Sequence, residues 1–531
     1  MWMNLTAALK NIGTGHINIV SEATGGEFTT KATLLKAHEM YIKALPSLWA
    51  SLGEYTCNNL DAALMKLAGN IFEDHIEAGV DTKTNIVSLG MSKWDNVMFA
   101  PNTIGEHYLQ FATFLSAMQT HRIVAGTIMN YDQFVFSLRE RLFRDMVDDE
   151  TYTKYKAYKD KQESVKGNNV EFIDYLSRFI AYRANNFTNE WKSNYAKAYK
   201  EGLKNARVEF EKNQVIYDAF ELKDGIASIK AESNITLEDF AKFLGKVKGI
   251  NHSLHGIYNT FDKSMLSGKM WGEVILQFRK WLRPNFIRYW GKRVGKIVFD
   301  ERLESYRSGA YMDMINFLLS NGKSAYRETI DKAIENDEDI DFATKAKAIF
   351  NGFCGLLYWF KDINFRYNTL PQAQKANIKR AMFNFTTLVG LSLVAASLYA
   401  AKDDDDELDE NQFFALACYT IYGVQTELYE TSPWGLYSFY KRTMEAPIPF
   451  ETSMSNVLNL AYWTLIAPMI VDDEEMLYDR GTYKDEDKRW IAFKKTIPLF
   501  NQYNKMFYLP KNNTYYMQQN PILQMIVELN K

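Results

Sequence analysis

Histidine beside a carboxylate is the pattern in this chain most able to do chemistry, because imidazole titrates near neutrality and an adjacent acid can orient or charge it. Seven His are spread over 531 residues. Glu73-Asp74-His75 places three such groups in succession, but successive helical side chains point about 100° apart and do not converge; a solvated helix face is the expectation. Gly105-Glu106-His107 and His121-Arg122 could bring two imidazoles together across helices. No HExxH or CxxC spacing accompanies them, so buried, hydrogen-bonded histidines are expected. His252 and His255 lie three apart, a weak signal by itself. Gly13-Thr14-Gly15-His16 lacks the third glycine and the preceding strand of a dinucleotide loop, and GxxxxGK[ST], GxSxG and kinase signatures are absent. No two of the 65 acids stand out as a pair. Cys57, Cys354 and Cys418 are odd in number and far apart, which fits neither a disulfide framework nor a zinc site and points to a reducing cytoplasm. The expectation is a non-enzyme, with no catalytic, cofactor-binding or metal-ligating residue and no cofactor.

The other residues able to act do so by contact. From Lys242 to Lys296 twelve Lys and Arg face only Asp262 and Glu273, a local balance of +10 within a chain of net charge −3. Inside it, Trp271, Phe278, Arg279, Lys280, Trp281, Arg283, Arg288, Tyr289 and Trp290 interleave cations with aromatic rings. These nine are the candidate membrane or partner contacts. Three environments suit them: a lipid surface met by an amphipathic helix, phosphates and bases of nucleic acid, or a protein interior in which the cations snorkel outward or pair with acids. Val274, Ile275, Phe278, Trp281 and Leu282 keep helical spacing, and Pro284 should kink or end that helix.

The elements that carry these residues are helices. Gly (28) and Pro (11) are scarce and hydrophobic residues reach 47%, so breakers are few and the fold class expected is all-α, an extended multi-helix assembly of several helical subdomains with little or no sheet. Phe172, Tyr175, Leu176, Phe179 and Ile180 form one helical face. Thr236, with an acid three residues on at Asp239, reads as a helix start feeding Phe240, Leu244 and Val247, with Gly245 and Gly249 closing it. Tyr152, Tyr155 and Tyr158 mark an exposed polar helix, and Trp191, Tyr195 and Tyr199 a stripe suited to partner packing. Breaks fall at 167–169, 321–322, 432–433 and 446–447. Four regions follow: an N-terminal helical domain (1–147), a polar amphipathic arm (148–250), a basic and aromatic helical region (251–380), and an apolar helical region with membrane-active segments (381–531).

Ala381–Ala401 is 21 residues without a charge, long enough to cross about 30 Å of hydrocarbon. Asn384, Thr386, Thr387, Ser392 and Ser397 dilute it, so a helix buried in an assembly competes evenly with a spanning one. Lys375, Lys379 and Arg380 precede the run and seven acids fall within Asp403–Glu410, an arrangement that would leave the N-terminal end of an inserted helix in the cytoplasm. Phe413–Val424 and Val457–Val471 are too short to span and read as re-entrant, interfacial or buried helices.

Several segments, in order, resemble the C-terminal helical region of the very large virion-packaged proteins of crAss-like bacteriophages. They are Gly105-Glu106-His107 with Gln110 and His121-Arg122; Met270–Tyr289 with its QFRKWLRP; Tyr306, Gly309 and Tyr311; the apolar run ending in Lys402-Asp403-Asp404-Asp405-Asp406; Thr426-Glu427-Leu428; and Gly481-Thr482-Tyr483-Lys484 leading to Ile497-Pro498. The resemblance covers about Trp94 to Phe507. It implies a cargo protein held in the head, portal or tail lumen and ejected at infection into the host envelope or cytoplasm, aiding genome passage. Its implied partners are portal, tail or other cargo proteins, then genomic DNA and the host inner membrane. The chain starts at its own Met1 without the long upstream region of those proteins, so an enzymatic domain carried there is not expected. A permanent lumen-lining plug and a protein bound to genome ends are the alternatives.

Overall fold

The computed structural model describes residues 5–50, 56–72, 107–166, 187–255, 282–291, 298–300, 305–319, 367–403, 412–433, 458–470, 476–479 and 484–496, with a few single positions between them. In chain order these form α1 (Leu5–Gly25), α2 (Lys31–Ala50), α3 (Leu60–Phe72), α4 (107–120), β1 (Arg122–Val124), β2 (Thr127–Met129), α5 (Tyr131–Phe134), α6 (Leu138–Met146), α7 (Asp149–Lys166) and α8 (Asn189–Glu211). There follow β3 (Gln214–Val215), β4 (Phe220–Lys223), β5 (Ile226–Ile229), α9 (Leu237–His255), α10 (Leu282–Trp290), β6 (Val298–Asp300), β7 (Ser305–Arg307) and α11 (310–319). The last are α12 (Gln372–Asp403), α13 (Gln412–Thr431), α14 (458–470, with a π-helical turn at Tyr462–Ile466) and α15 (Lys488–Thr496).

The architecture is helical, as the scarcity of breakers requires, with three small antiparallel sheets added: β2-β1-β3, β4-β5 and β6-β7. Two of the hairpins owe their turns to backbone handedness. Asp224 and Gly225 take φ of 52° and 78°, and Ala125 and Gly126 take 49° and 80°, the left-handed pair that a two-residue turn needs to match the strand twist. The short strands cap helical cores and do not build a layer of their own.

The largest core gathers buried faces of α2, α3, α4 and α9 around β1, β2 and the 216–227 segment, with Leu64, Phe114, Leu115, Phe243 and Val247 almost fully enclosed. It joins residues from both sides of the 147/148 division read from the polar stretch. A second core sets the ring of Phe143 edge-on to Tyr155, Phe179 and Trp191. Tyr155 is therefore buried, and the Tyr face of α7, expected to be exposed, packs inward while its Lys face meets water. Trp191, Tyr195 and Tyr199 stack along α8 at centroid spacings of 5.3 and 6.5 Å, and their packing partners lie in this same chain. Of the Phe172–Ile180 face, Leu176, Phe179 and Ile180 are buried as expected; Phe172 and Tyr175 lie outside the described residues.

Thr236 caps α9 as read: its hydroxyl oxygen accepts from Asp239 N, and Asp239 Oδ2 accepts from Thr236 N. The helix does not close at Gly245 or Gly249 but runs on to His255. Ile250 and Leu254 continue the buried stripe, and their burial outweighs the roughly 1 kcal/mol that each helical glycine costs. α13 ends at Thr431, just before the Ser432-Pro433 break. The breaks at 167–169, 321–322 and 446–447 lie outside the described residues, as does most of the acidic run after Asp403.

α1, α12 and α13 pack on one another and set the N-terminal helix against segments far along the sequence. Lys10 on α1 pairs with Glu427 on α13 at 2.8 Å. Helix α12 contains the uncharged run, and among the described residues no helix is long and apolar enough to cross a membrane. The spanning reading of 381–401 is thereby corrected. The physical reason is the face α12 turns inward: within the run Asn384 and Ser392 are buried against protein, and Ser392 accepts from Gln425 on α13, a polar contact that lipid would not supply.

Candidate functional site

The polar face of α12 meets α1, α10 and α11 in a continuous buried network. Arg380 donates to Glu22 Oε1 at 2.5 Å and to Glu27 Oε2 at 2.8 Å, and its other nitrogen reaches Asn377 Oδ1 at 2.6 Å. Asn377 donates in turn to Asp313 Oδ2 at 2.8 Å, which also accepts from the Ser308 hydroxyl. From the other side Arg288 donates to Asn18 Oδ1 and to the Asn18 carbonyl, both at 2.9 Å, and lies 3.9 Å from Glu22. Glycine makes two of these approaches feasible. A Cβ on Gly25 would stand 2.6 Å from Arg380 Nε, and one on Gly309 would stand 2.3 Å from the Trp290 carbonyl carbon.

The charges in this region shift one another. Burial works against the Arg380 cation, but Glu22 and Glu27 outweigh it and hold the guanidinium above its ordinary value. Burial pushes Asp132 up to about 7, Glu27 adds to the rise, and Arg380, Arg207 and Lys379 oppose it. Asp313 rises to about 6, again through burial, against the hydrogen bonds from Ser308 and Asn377. Lys375 falls to about 8 through burial, with Arg139 and Lys379 adding to the fall. Perturbed acids and bases mark functional sites and structural ion-pair networks alike. Here Arg380 is held by Glu22 and Glu27 on or beside α1, and Asp313 by Asn377 and Ser308, the pattern of a network that fixes helix register.

The histidines fall into two settings. On α1, α2 and α4, His16 stacks on His38 at 5.4 Å, His38 Nδ1 pairs with the Tyr108 hydroxyl at 2.9 Å, and His107 Nδ1 pairs with the Tyr41 hydroxyl at 2.8 Å. Burial lowers both His16 and His38 below the ordinary imidazole value, and His16 lowers His38 further. His121 is enclosed between Phe28 and Phe243, and its Nδ1 is 2.9 Å from the Ala117 carbonyl. The expected hydrogen-bonded histidines are thus present at 107 and 121, though at opposite ends of one helix and not facing each other across two. His252 is buried on α9, and Glu73-Asp74-His75 lies outside the described residues. Among the described residues no three His, Cys, Asp or Glu gather as metal ligands.

Of the nine contact candidates, Trp271, Phe278, Arg279, Lys280 and Trp281 lie outside the described residues, and Arg283 is described only as part of the α10 backbone. Arg288, Tyr289 and Trp290 are buried, which corrects their reading as a surface offered to lipid or a partner. Tyr289 donates to Asn18 Oδ1 at 3.3 Å and Trp290 Nε1 to the Thr431 carbonyl at 3.1 Å, so these three join α10 to α1 and α13. Of the three environments considered for the stretch, they occupy the protein interior.

The surface is where apolar groups stand without cover. Met382, Phe385, Val389 and Leu393, spaced three, four and four, form an outward stripe on α12, with Met382 59% and Leu393 62% exposed. The inward side of α12 mixes buried polar groups with Ile378, Ala381, Leu388 and Ala395, and the outward side keeps this apolar row. Sequence reasoning saw the uncharged run but not this division. It also missed Glu22, Glu27 and Asn18, although Glu22 is the one carboxylate in α1.

Comparison with protein families, curated proteins and solved structures finds no match. Function is therefore argued from these surfaces and from the resemblance of the motifs.

Proposed function

We propose that this chain is a bacteriophage virion cargo protein, packed in the head, portal or tail lumen and ejected into the host during infection, whose work is docking and not covalent chemistry. The observation that carries the docking part is the exposed row on α12: buried ionic and apolar contacts hold the helix to α1 and α13, and the outward Met382–Leu393 stripe is left for another surface. Single exposed apolar residues are ordinary, whereas a helical row of them calls for a covering partner. A neighbouring virion protein fits this stripe, since no charge interrupts it from Ala381 to Ala401. The phage context comes from the motif resemblance.

Delivery is tested by measuring the protein in intact particles and in particles emptied by host contact. Loss on emptying is expected. Equal amounts would overturn delivery and favour a permanent lumen plug. The genome-end reading loses weight because Arg288, one of its phosphate-contact candidates, is turned inward.

A further inference from the structure

Helices α14 and α15 pack on each other, and each leaves an apolar face uncovered. On α14 the uncovered residues are Leu458, Tyr462 and Leu465, spaced four and three, with the two leucines 63% and 66% exposed. On α15 Trp490, 49% exposed, stacks on Phe493 at 5.5 Å and 13°, while Ile491 and Ala492 face inward and fix the helix on its neighbour. α15 reads KRWIAFKKT, four cations and no acid within the helix; Arg489 is paired with Asp487 just before it at 2.6 Å, and Lys494 and Lys495 lie in its last turn. Lys494 lies over the Trp490 ring at 5.2 Å and Lys488 over Trp463 at 4.8 Å, so cations and aromatic rings are in direct contact.

We propose that this α14–α15 pair is a docking surface for an anionic phospholipid bilayer, lying in the plane of the headgroups. Cations in contact with indole rings, together with exposed aliphatic side chains on the helix packed against them, are the residue types that a membrane interface accepts, its phosphates taking the cations and its first methylenes the apolar groups. A polyanion such as DNA would engage Lys494 and Trp490 but would gain nothing from Leu458 and Leu465. Lys494 and Lys495, in the last turn of α15 and away from the Asp487–Arg489 pair, complement anionic lipid. This surface is separate from the α12 stripe, and its lipid binding does not depend on the chain being packaged.

The test is co-sedimentation of the full-length chain with vesicles of phosphatidylglycerol mixed with phosphatidylcholine, against vesicles of phosphatidylcholine alone and against a short DNA duplex. Binding to the anionic vesicles is expected, falling with salt. Lys494→Glu should weaken it about fivefold or more and Trp490→Ser about tenfold, while Leu35→Ser at an exposed position of α2 should leave it unchanged. Circular dichroism verifies that each variant is folded, and if Trp490→Ser is not, Lys494→Glu decides. Absent binding to anionic vesicles, variants that bind like the wild type, or duplex binding tighter than vesicle binding and lost in Lys494→Glu would each overturn the proposal. Retention in emptied particles would overturn delivery and leave this surface standing.

Discussion

Arg380 and Glu22, 358 residues apart in the sequence, meet in a buried ion pair with each side chain only 3% exposed. The pair holds the start of the uncharged run on α12 against the end of α1, and Glu27 makes it a triad. Such a triad fixes register because a slipped helix would strand charges in a low-dielectric interior, where each ion costs several kcal/mol to desolvate.

Breaking the triad from the cationic side should therefore be severe. Arg380→Met leaves Glu22 and Glu27 facing each other without their shared partner, and a loss of about 3–5 kcal/mol is expected. Urea unfolding of the variant and the wild type measures it. A loss below about 1 kcal/mol would mean that water already reaches the pair.

Acid should destabilise the protein through His121. Burial lowers this imidazole from 6.5 to about 4, so the unfolded chain takes up the proton first as pH falls. Its contribution is complete above about 6.5 and disappears as pH falls through about 4, on the order of 3 kcal/mol in all. Asp313 has the opposite sign. Raised to about 6, it binds its proton more tightly when folded, so its contribution is greatest below the unfolded value of 3.8 and fades as pH rises through about 6. Asp313→Asn should accordingly make the loss of stability on acidification steeper than in the wild type. Unfolding free energies measured from neutrality down to about pH 4 check this, and a shallower profile in the variant would contradict it.

Gly309 carries a steric prediction. The Cβ of Gly309→Ala would fall 2.3 Å from the Trp290 carbonyl carbon and 2.4 Å from the Tyr289 carbonyl oxygen. These are backbone atoms and cannot swing aside. A destabilisation of about 1–3 kcal/mol is expected, read by thermal melting. An unchanged midpoint would show that α10 can shift without cost.

The outward stripe should separate stability from association. Met382→Ser with Leu393→Ser alters exposed positions and should change folding stability by no more than about 0.5 kcal/mol per site, while incorporation into particles falls. Quantifying the variant in purified virions is the measurement. Normal incorporation would remove the stripe from the docking argument.

Part of the fold was legible because local rules governed it. Thr236 and Asp239 form their capping box wherever the following helix goes, and the break at Ser432-Pro433 ends α13. One local signal was overlooked: Asp224-Gly225 between FELK and IASI is the dipeptide that favours a two-residue hairpin, and it turns β4 into β5. Gly245 and Gly249 misled in the other direction, since a glycine's local cost could not reveal that Ile250 and Leu254 had a core to enter.

By itself the sequence determined that this is a helical protein: few breakers, helical spacing of apolar residues and no periodic alternation are properties of neighbours along the chain. It also determined which residues are cationic, aromatic or aliphatic. Only the tertiary structure decided which way they face. Arg288 and Trp290 share a basic aromatic stretch that suits lipid, DNA or a core, and the core takes them because Asn18 and the Thr431 carbonyl are there to receive them. Arg380 and Glu22 carry no mutual signal across 358 positions, because a contact between distant segments is set by how whole helices pack and not by the preferences of any local stretch.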